Sequence, residues 1–363
     1  MADQRPVPRV TVNQRRDPAG VPAPPSEQVH TFHRGLPGYA PTPLRPLPAV
    51  AAALGVAGVW VKDESDRLGM PAFKVLGASW AVEQALAQHP DVTTVLAASA
   101  GNHGRAVARY AVQRGLTSRI YLPAAASPAR KAAIAAEGAT VVEVAGDYDA
   151  AVAAAARAAD APGTVLVADV AQTPDVPSPG WVTDGYATLF RELADQLPAP
   201  ADVLLVPMGV GSLAAAAVRW AVHEATGHRG PAVVGVEPTT AACVTASLLA
   251  GRPVTVAAPG TAMAGMDCAT PSAVAWPTLA AGLTGTVTVA DPEVFAAMRE
   301  LAGYGLAIGD CGAAPLAALR ALAHAPDAAA LRAAVGWGPD THVVWVATEG
   351  PTDPEAYQRI VGD

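Results

Sequence analysis

Lys62-Asp63-Glu64-Ser65, then Pro71-Ala72-Phe73-Lys74-Val75-Leu76-Gly77, then Ser99-Ala100-Gly101-Asn102-His103-Gly104: these stretches decide the reading of the chain. The run Val59-Trp60-Val61-Lys62 reads as a strand. Phe73 to Gln88 reads as a helix with Lys74 near its start. Thr94–Ala98 is a second strand, which opens into Ser99–Gly104 and then a helix from Gly104 to Arg114. The same alternation continues. Strands are expected over Arg119–Pro123, Thr140–Val144, Thr164–Ala168, Val203–Pro207, Val233–Val236 and His342–Ala347, and a helix over Pro128–Glu137. Short apolar runs alternating with Ala-rich helices predict an α/β fold with a largely parallel sheet. Each strand-to-helix turn of such a sheet lies at its carboxyl edge, where ligands bind.

Composition narrows the function. The chain has 363 residues, 51 % apolar and 15 % charged, enough for one large domain or two lobes with buried cores. A formal charge of −8 argues against nucleic-acid binding. No apolar run approaches membrane-spanning length. Residues 1–17 are polar and carry no apolar signal core, so a cytoplasmic location is expected. Cys243, Cys268 and Cys311 have no metal-like spacing, and a disulfide framework is not expected. The histidines show no HExxH-type pattern, so no metal is expected. Residues 1–40, rich in Pro, Gly and Arg, read as an irregular N-terminal arm.

Several positions carry chemistry. Lys74, between Phe73 and Val75, is expected in an apolar setting, where desolvation lowers an ammonium's pKa and frees the amine to attack an aldehyde. Taken alone, such a lysine is ordinarily solvated. Ser99, Ala100, Gly101, Asn102 and His103 lie between strand and helix, where backbone amides attract anions. By spacing alone, this is equally a tight turn with a helix cap. Gly209-Val210-Gly211-Ser212-Leu213 follows another strand and suits close approach to a phosphate. Gly209, Gly211 and Ala214 also satisfy GxGxxA, with Glu237 ending the next strand like a ribose-binding acid, so a nicotinamide-binding reading competes. Asp169, after Val165-Leu166-Val167-Ala168, could act as a base or simply cap a turn. Thr348 follows the last strand and could meet a ring nitrogen. Asp267 and Cys268 could line a site, although a buried structural thiol is the commoner role.

Taken together, the segments resemble a family. The Lys62–Ser65, Ala72–Gly77, Gly101–Arg105, Gly146–Asp149, Gly185-Tyr186 with Thr188-Leu189, Gly209–Ser212, Val236–Pro238 and Thr348–Gly350 stretches occur in the order found in fold-type II pyridoxal-phosphate enzymes. Within that group the chain is most similar to the diaminopropionate ammonia-lyases. The resemblance implies that Lys74 bonds the cofactor aldehyde as a Schiff base and moves the Cα proton. Phe73 would pack near the ring and Asn102 would contact the phenolic oxygen. Ser99 to His103 would hold the substrate carboxylate. Gly209, Val210, Gly211, Ser212 and Leu213 would cradle the phosphate. Thr348 would face the pyridine nitrogen and leave it unprotonated, which favours β-elimination. Asp169 matches the carboxylate that serves the L-substrate. Ala100 stands where the ammonia-lyases tend to have Asp, the group associated with the D-enantiomer. The stretch Gln172-Thr173-Pro174-Asp175-Val176-Pro177 also departs from the family pattern.

The expected architecture is therefore two lobes with parallel-sheet cores. Residues 41–81 and 194–363 form the larger, cofactor-binding lobe, and 82–193 the smaller, with the cofactor in the cleft between. The expected reaction is β-elimination of a small L-amino acid, foremost 2,3-diaminopropionate to pyruvate and ammonia via aminoacrylate. A serine/threonine dehydratase-like lyase and a β-replacement synthase of specialised metabolism are the alternatives. The expected partner is a small amino acid, with neither nucleic acid nor membrane, in a homodimer.

Overall fold

Apolar runs form strands wherever both of their faces are covered. The computed structural model describes residues 7–173, 175–223 and 230–362; Pro174, in the departing stretch, and the first six residues of the expected arm lie outside them. The strands are β1 (Val10–Val12), β2 (Leu44–Pro46), β3 (Gly58–Asp63), β4 (Thr94–Ala98), β5 (Thr117–Pro123), β6 (Thr140–Val144), β7 (Thr164–Leu166), β8 (Val203–Pro207), β9 (Ala232–Pro238), β10 (Gly285–Val289) and β11 (His342–Ala347). They belong to two compact units. One comprises Met1–Ser26, Ala40–Phe73 and Leu189–Asp363; the other comprises Glu27–Tyr39 and Lys74–Thr188. The breaks thus fall at Lys74 and Leu189 rather than at the expected 82 and 194.

The larger unit has a seven-stranded sheet in the order β1-β10-β9-β8-β11-β3-β2. The inner five strands are parallel and the two outer strands antiparallel. In β8, β9 and β10 every residue is buried. Ala347 lies opposite Asp63, so Thr348 and Glu64 leave the sheet at the same edge. Among the described residues no helix is long and apolar enough to cross a membrane.

The smaller unit has a four-stranded parallel sheet in the order β6-β5-β4-β7. Its carboxyl edge carries Ser99, which follows β4, and Asp169, which lies just past β7. The helix after β4 starts at Asn102, two residues earlier than expected, and draws Asn102 and His103 into its first turn.

The N-terminal arm is not irregular throughout. The alternation Val10-Thr11-Val12 lets β1 pair antiparallel with β10, and a Cβ on Gly285 would fall 2.3 Å from the Thr11 carbonyl. Gln28–Arg34 is a helix of the smaller unit, pinned by the buried His33. The His33 ring bonds Thr188 Oγ1 at 2.7 Å and the Leu76 carbonyl at 2.9 Å.

Lys62-Asp63-Glu64-Ser65 turns out to be structural. In the larger unit, Lys62 Nζ donates to Glu192 Oε2 (2.7 Å), the Thr42 carbonyl (2.7 Å) and Gln196 (2.8 Å). Arg67 donates to both oxygens of Glu64 and both of Glu192. The four charged side chains are at most 1 % exposed. Two cations against two anions, with their hydrogen-bonding capacity filled, is the condition under which charge tolerates burial. Burial pulls the Lys62 ammonium below its ordinary pKa, and Glu192 resists.

Candidate active site

Lys74 is the first residue of the helix Lys74–Gln88. Phe73 and Val75 are buried on either side, but the ammonium does not end in an apolar setting. Its four-carbon stem carries Nζ past them to Asp169 Oδ2, at 3.0 Å, with the two side chains 23 % and 17 % exposed. Asp169 is therefore more than a turn residue. Burial works against its charge, yet the nearby His103 ring and the Lys74 ammonium together outweigh it, and the carboxyl is held down to about 2.

His103 completes one side of this cluster. Its Nε2 donates to the Val167 carbonyl at 2.9 Å, which sets the tautomer and leaves a lone pair on Nδ1. That Nδ1 lies 3.9 Å from Asp169 Oδ2 and has no hydrogen-bond partner among the described residues. Burial lowers the ring's pKa, so the imidazole is neutral and Lys74 is the cation that balances Asp169. Expected to line the substrate loop, His103 is instead 2 % exposed, because the early helix start turns its side chain inward.

Tyr186 stands on the other side, fully buried, with its ring centroid 5.9 Å from Lys74 Nζ. Two glycines make room for it. A Cβ on Gly77 would meet the Tyr186 ring at 2.6 Å, and one on Gly185 would meet the Leu76 carbonyl at 2.5 Å. Gly77 and Gly185 thus allow the helices Lys74–Gln88 and Ser178–Gly185 to touch backbone to backbone. Burial pushes the Tyr186 phenol up to about 12, Asp169 pushing the same way and Lys74 against it. The segment that holds Tyr186 is one of the family-like stretches, but its sequence assigns the tyrosine no role; the glycine on either side of the contact is the signal for one.

The turn before Asn102 is built for close approach. Gly101 is extended, with φ −128° and ψ −153°, and its amide is bonded to Ser99 Oγ at 3.2 Å. Ser99, Ala100 and Asn102 are half-buried and Gly101 exposed, while a Cβ on Gly104 would meet the Ser99 carbonyl at 2.7 Å.

The larger unit carries the other expected positions. Gly209–Gly211 joins β8 to the helix Ser212–His223, so Ser212 and Leu213 are its first residues. Gly211 has φ +98°, and a Cβ there would lie 2.4 Å from Leu279. A Cβ on Gly209 would lie 2.8 Å from the Gly265 carbonyl and 2.9 Å from Cys268 Sγ. Cys243 Sγ donates to the Gly209 carbonyl at 3.7 Å, so thiols flank this turn on both sides. The Thr348 carbonyl accepts from the Phe73 amide at 3.2 Å, and the Thr348 hydroxyl is buried with no partner among the described residues. Next to it Asp310, Cys311 and Glu349 converge, and burial raises the Asp310 carboxyl.

Glu237 removes the nicotinamide reading. Its Oε1 accepts from the Val244 amide at 2.7 Å, and Oε2 from the Thr245 amide at 2.8 Å and the Thr245 hydroxyl at 2.5 Å. The carboxylate caps the helix Cys243–Ala250 and is wholly buried, out of reach of a ribose.

The smaller unit carries a lysine paired with a carboxylate at the carboxyl edge of its sheet, and the larger unit a glycine-rich turn after β8; both are features of enzymes that bond an aldehyde cofactor. The match to known proteins agrees. Residues 36–335 fit the family described as "Pyridoxal-phosphate dependent enzyme". Diaminopropionate ammonia-lyase of Escherichia coli K12 is 32 % identical, over 91 % of this chain and 89 % of the relative. An L-threonine dehydratase of Mycobacterium leprae is 33 % identical over 61 % of this chain and 50 % of its own length. The crystal structure of the Escherichia coli ammonia-lyase, in complex with an aminoacrylate-PLP azomethine reaction intermediate, superposes with a TM-score of 0.87. It is 29 % identical and covers 97 % of this chain and 96 % of that one. The chain belongs to the pyridoxal-phosphate-dependent enzyme family, and its cofactor is pyridoxal 5'-phosphate.

The residues fit that group. Thr348 offers an unused buried hydroxyl, suited to a ring nitrogen. Gly209 and Gly211 pack against Gly265, Cys268 and Leu279 with no room for a side chain, which holds the turn close at the head of the helix Ser212–His223. Lys74 offers the amine.

Proposed function

We propose that the enzyme eliminates the β-amino group of L-2,3-diaminopropionate, consuming one water and giving pyruvate and two ammonia. The observation that carries this reading is the Lys74–Asp169 pair at 3.0 Å, in a chain similar over nearly its whole length to diaminopropionate ammonia-lyases. When bound, the cofactor supplies an electron sink joined to the substrate's Cα. Lys74 Nζ is the group that would bond the aldehyde, and, displaced from it, would take the Cα proton. Asp169, ionised, would receive the resulting ammonium. The amides of Ser99 to Asn102, with His103 behind them, would orient the substrate carboxylate, and Asn102 would face the phenolic oxygen. Phe73 would pack against the ring. Gly209, Val210, Gly211, Ser212 and Leu213 would hold the phosphate, and Thr348 the pyridine nitrogen. A neutral hydroxyl there supports elimination over racemisation.

One observation favours a second reading. Ala100 places an apolar side chain immediately before Gly101-Asn102-His103, which would suit an uncharged β-hydroxy substrate such as L-serine. Ala100 also supplies no acid for a D-substrate, so turnover is assigned to the L-isomer. We extend the reading to a cytoplasmic homodimer, which light scattering of the purified enzyme would test.

The deciding experiment is pyruvate release by the cofactor-loaded enzyme from L-2,3-diaminopropionate, L-serine and D-2,3-diaminopropionate. Release from the L-diamine, abolished in Lys74→Ala, is expected. Release from L-serine alone would replace the substrate. Retained activity in Lys74→Ala would overturn the mechanism.

A further inference from the structure

The Lys74 ammonium is enclosed by more than its carboxylate. Asp169 Oδ2 lies 3.0 Å from Nζ, the Tyr186 ring centroid 5.9 Å, and the neutral His103 ring stands behind Asp169. Tyr186 is held by design of the backbone rather than by chance packing. Its ring rests on Gly77, one helical turn after Lys74, and Gly185 beside it lets the two helices close. A cation within about 6 Å of an aromatic face is attracted by the ring's quadrupole.

We infer that Tyr186 is a positioning residue for Lys74: its ring and the Asp169 carboxylate together form the resting place of the ammonium whenever the lysine is not bonded to the cofactor. The inference rests on Lys74 being the residue that bonds the cofactor. It deepens that role, because the lysine must be released and recaptured in each turnover. The ring works by favouring the charged form of Lys74, so it sets the pH at which the free amine becomes available. The charged and titratable groups facing Nζ are Asp169, His103 and Tyr186.

The test needs no substrate. Pyridoxal phosphate is added to the full chain stripped of cofactor, and the growth of the yellow Schiff-base absorbance is timed across a pH series. Only the neutral amine reacts, so the rate below the midpoint follows the unprotonated fraction. Tyr186→Leu is expected to move the profile to lower pH and to react about 2- to 5-fold faster at a fixed pH below the midpoint. Tyr186→Phe keeps the ring but loses the hydroxyl that hydrogen-bonds Lys74, so its profile should lie between those of wild type and Tyr186→Leu. Gly77→Ala, which drives a Cβ into the ring, should move it as Tyr186→Leu does. Asp169→Asn should move it further in the same direction. A Tyr186→Leu profile that superimposes on wild type overturns the inference, as does a Tyr186→Phe profile displaced as far as the leucine variant's. Absence of colour in every protein, wild type included, would instead sink the assignment of Lys74. The Gly77 and phenylalanine variants keep the question decidable if the leucine variant does not fold.

Discussion

At the scale of single residues, the site turns on one proton. Asp169 at about 2 is a weak base near neutrality, so it serves better as counter-ion than as proton acceptor while Lys74 is charged. Its depressed pKa also contributes to stability. A carboxyl whose folded pKa lies below its ordinary 3.8 stabilises the fold above about pH 4, and that contribution disappears as pH falls through about 2. The gap between wild type and Asp169→Asn in urea unfolding should be about 2 kcal/mol at neutral pH and should close across that window. A gap that persisted undiminished at the acid end would show that the pair contributes through packing instead. The same substitution should lower kcat on the L-diamine by about 100-fold or more. Lys74 and Asp169 were both legible as candidates, each flanked by apolar sequence. Their pairing was not, because 95 residues separate them. His103, expected in the turn before the helix, lies in the helix's first turn with its side chain buried. A shift of two residues in a helix start, within the ordinary uncertainty of reading such ends, decides where a side chain points.

At the scale of elements, strands read from sequence were as good as their apolar runs. β4, β8 and β11 match their expected bounds residue for residue, because strands inside a parallel sheet are continuous apolar runs with sharp ends, and the edge strand β6 matches as well. β10, in the same sheet, went unread because Gly285-Thr286-Val287-Thr288-Val289 puts hydroxyls on one face. Those hydroxyls are buried, and Thr286 is hydrogen-bonded to Thr245, whose own hydroxyl proton goes to Glu237. A polar residue satisfied by a distant neighbour cannot be distinguished in sequence from an exposed one. The glycine turn after β8 yields a prediction at this scale. Gly209→Ala forces a methyl against the Gly265 carbonyl and Cys268, so the turn must shift. Cofactor affinity, read by absorbance titration, should fall about 10-fold or more, which is the effect of about 1.4 kcal/mol. Unchanged affinity would mean that the phosphate is held elsewhere.

At the scale of the whole molecule, the buried charge network is the feature with the widest reach. It joins Thr42, Lys62, Glu64 and Arg67 from one segment of the larger unit to Glu192 and Gln196 from another. Removing one partner of such a network leaves a charge buried without balance. Glu192→Gln should therefore cost about 3–5 kcal/mol, measured by denaturant unfolding, although it lies outside the chemistry. A cost under about 1 kcal/mol would mean that water reaches these groups. Sequence marked Lys62 and Glu64 as informative and was silent on Glu192, whose role exists only once the two segments meet.

That network has a consequence for how the chain is made. Ala40, Phe73 and Leu189 mark three of the points where the polypeptide passes from one unit to the other, and Thr42, Arg67 and Glu192 lie within a few residues of them. Glu192 emerges from the ribosome 125 residues after Arg67. Until it does, Lys62 and Arg67 have Glu64 alone to set against two positive charges, and β8 to β11 do not yet exist. The smaller unit's main segment, Lys74–Thr188, is complete by then and can fold while the chain is still being synthesised. The larger unit contains the chain's first residues, yet it closes last, on an anion that arrives with the second half of the protein.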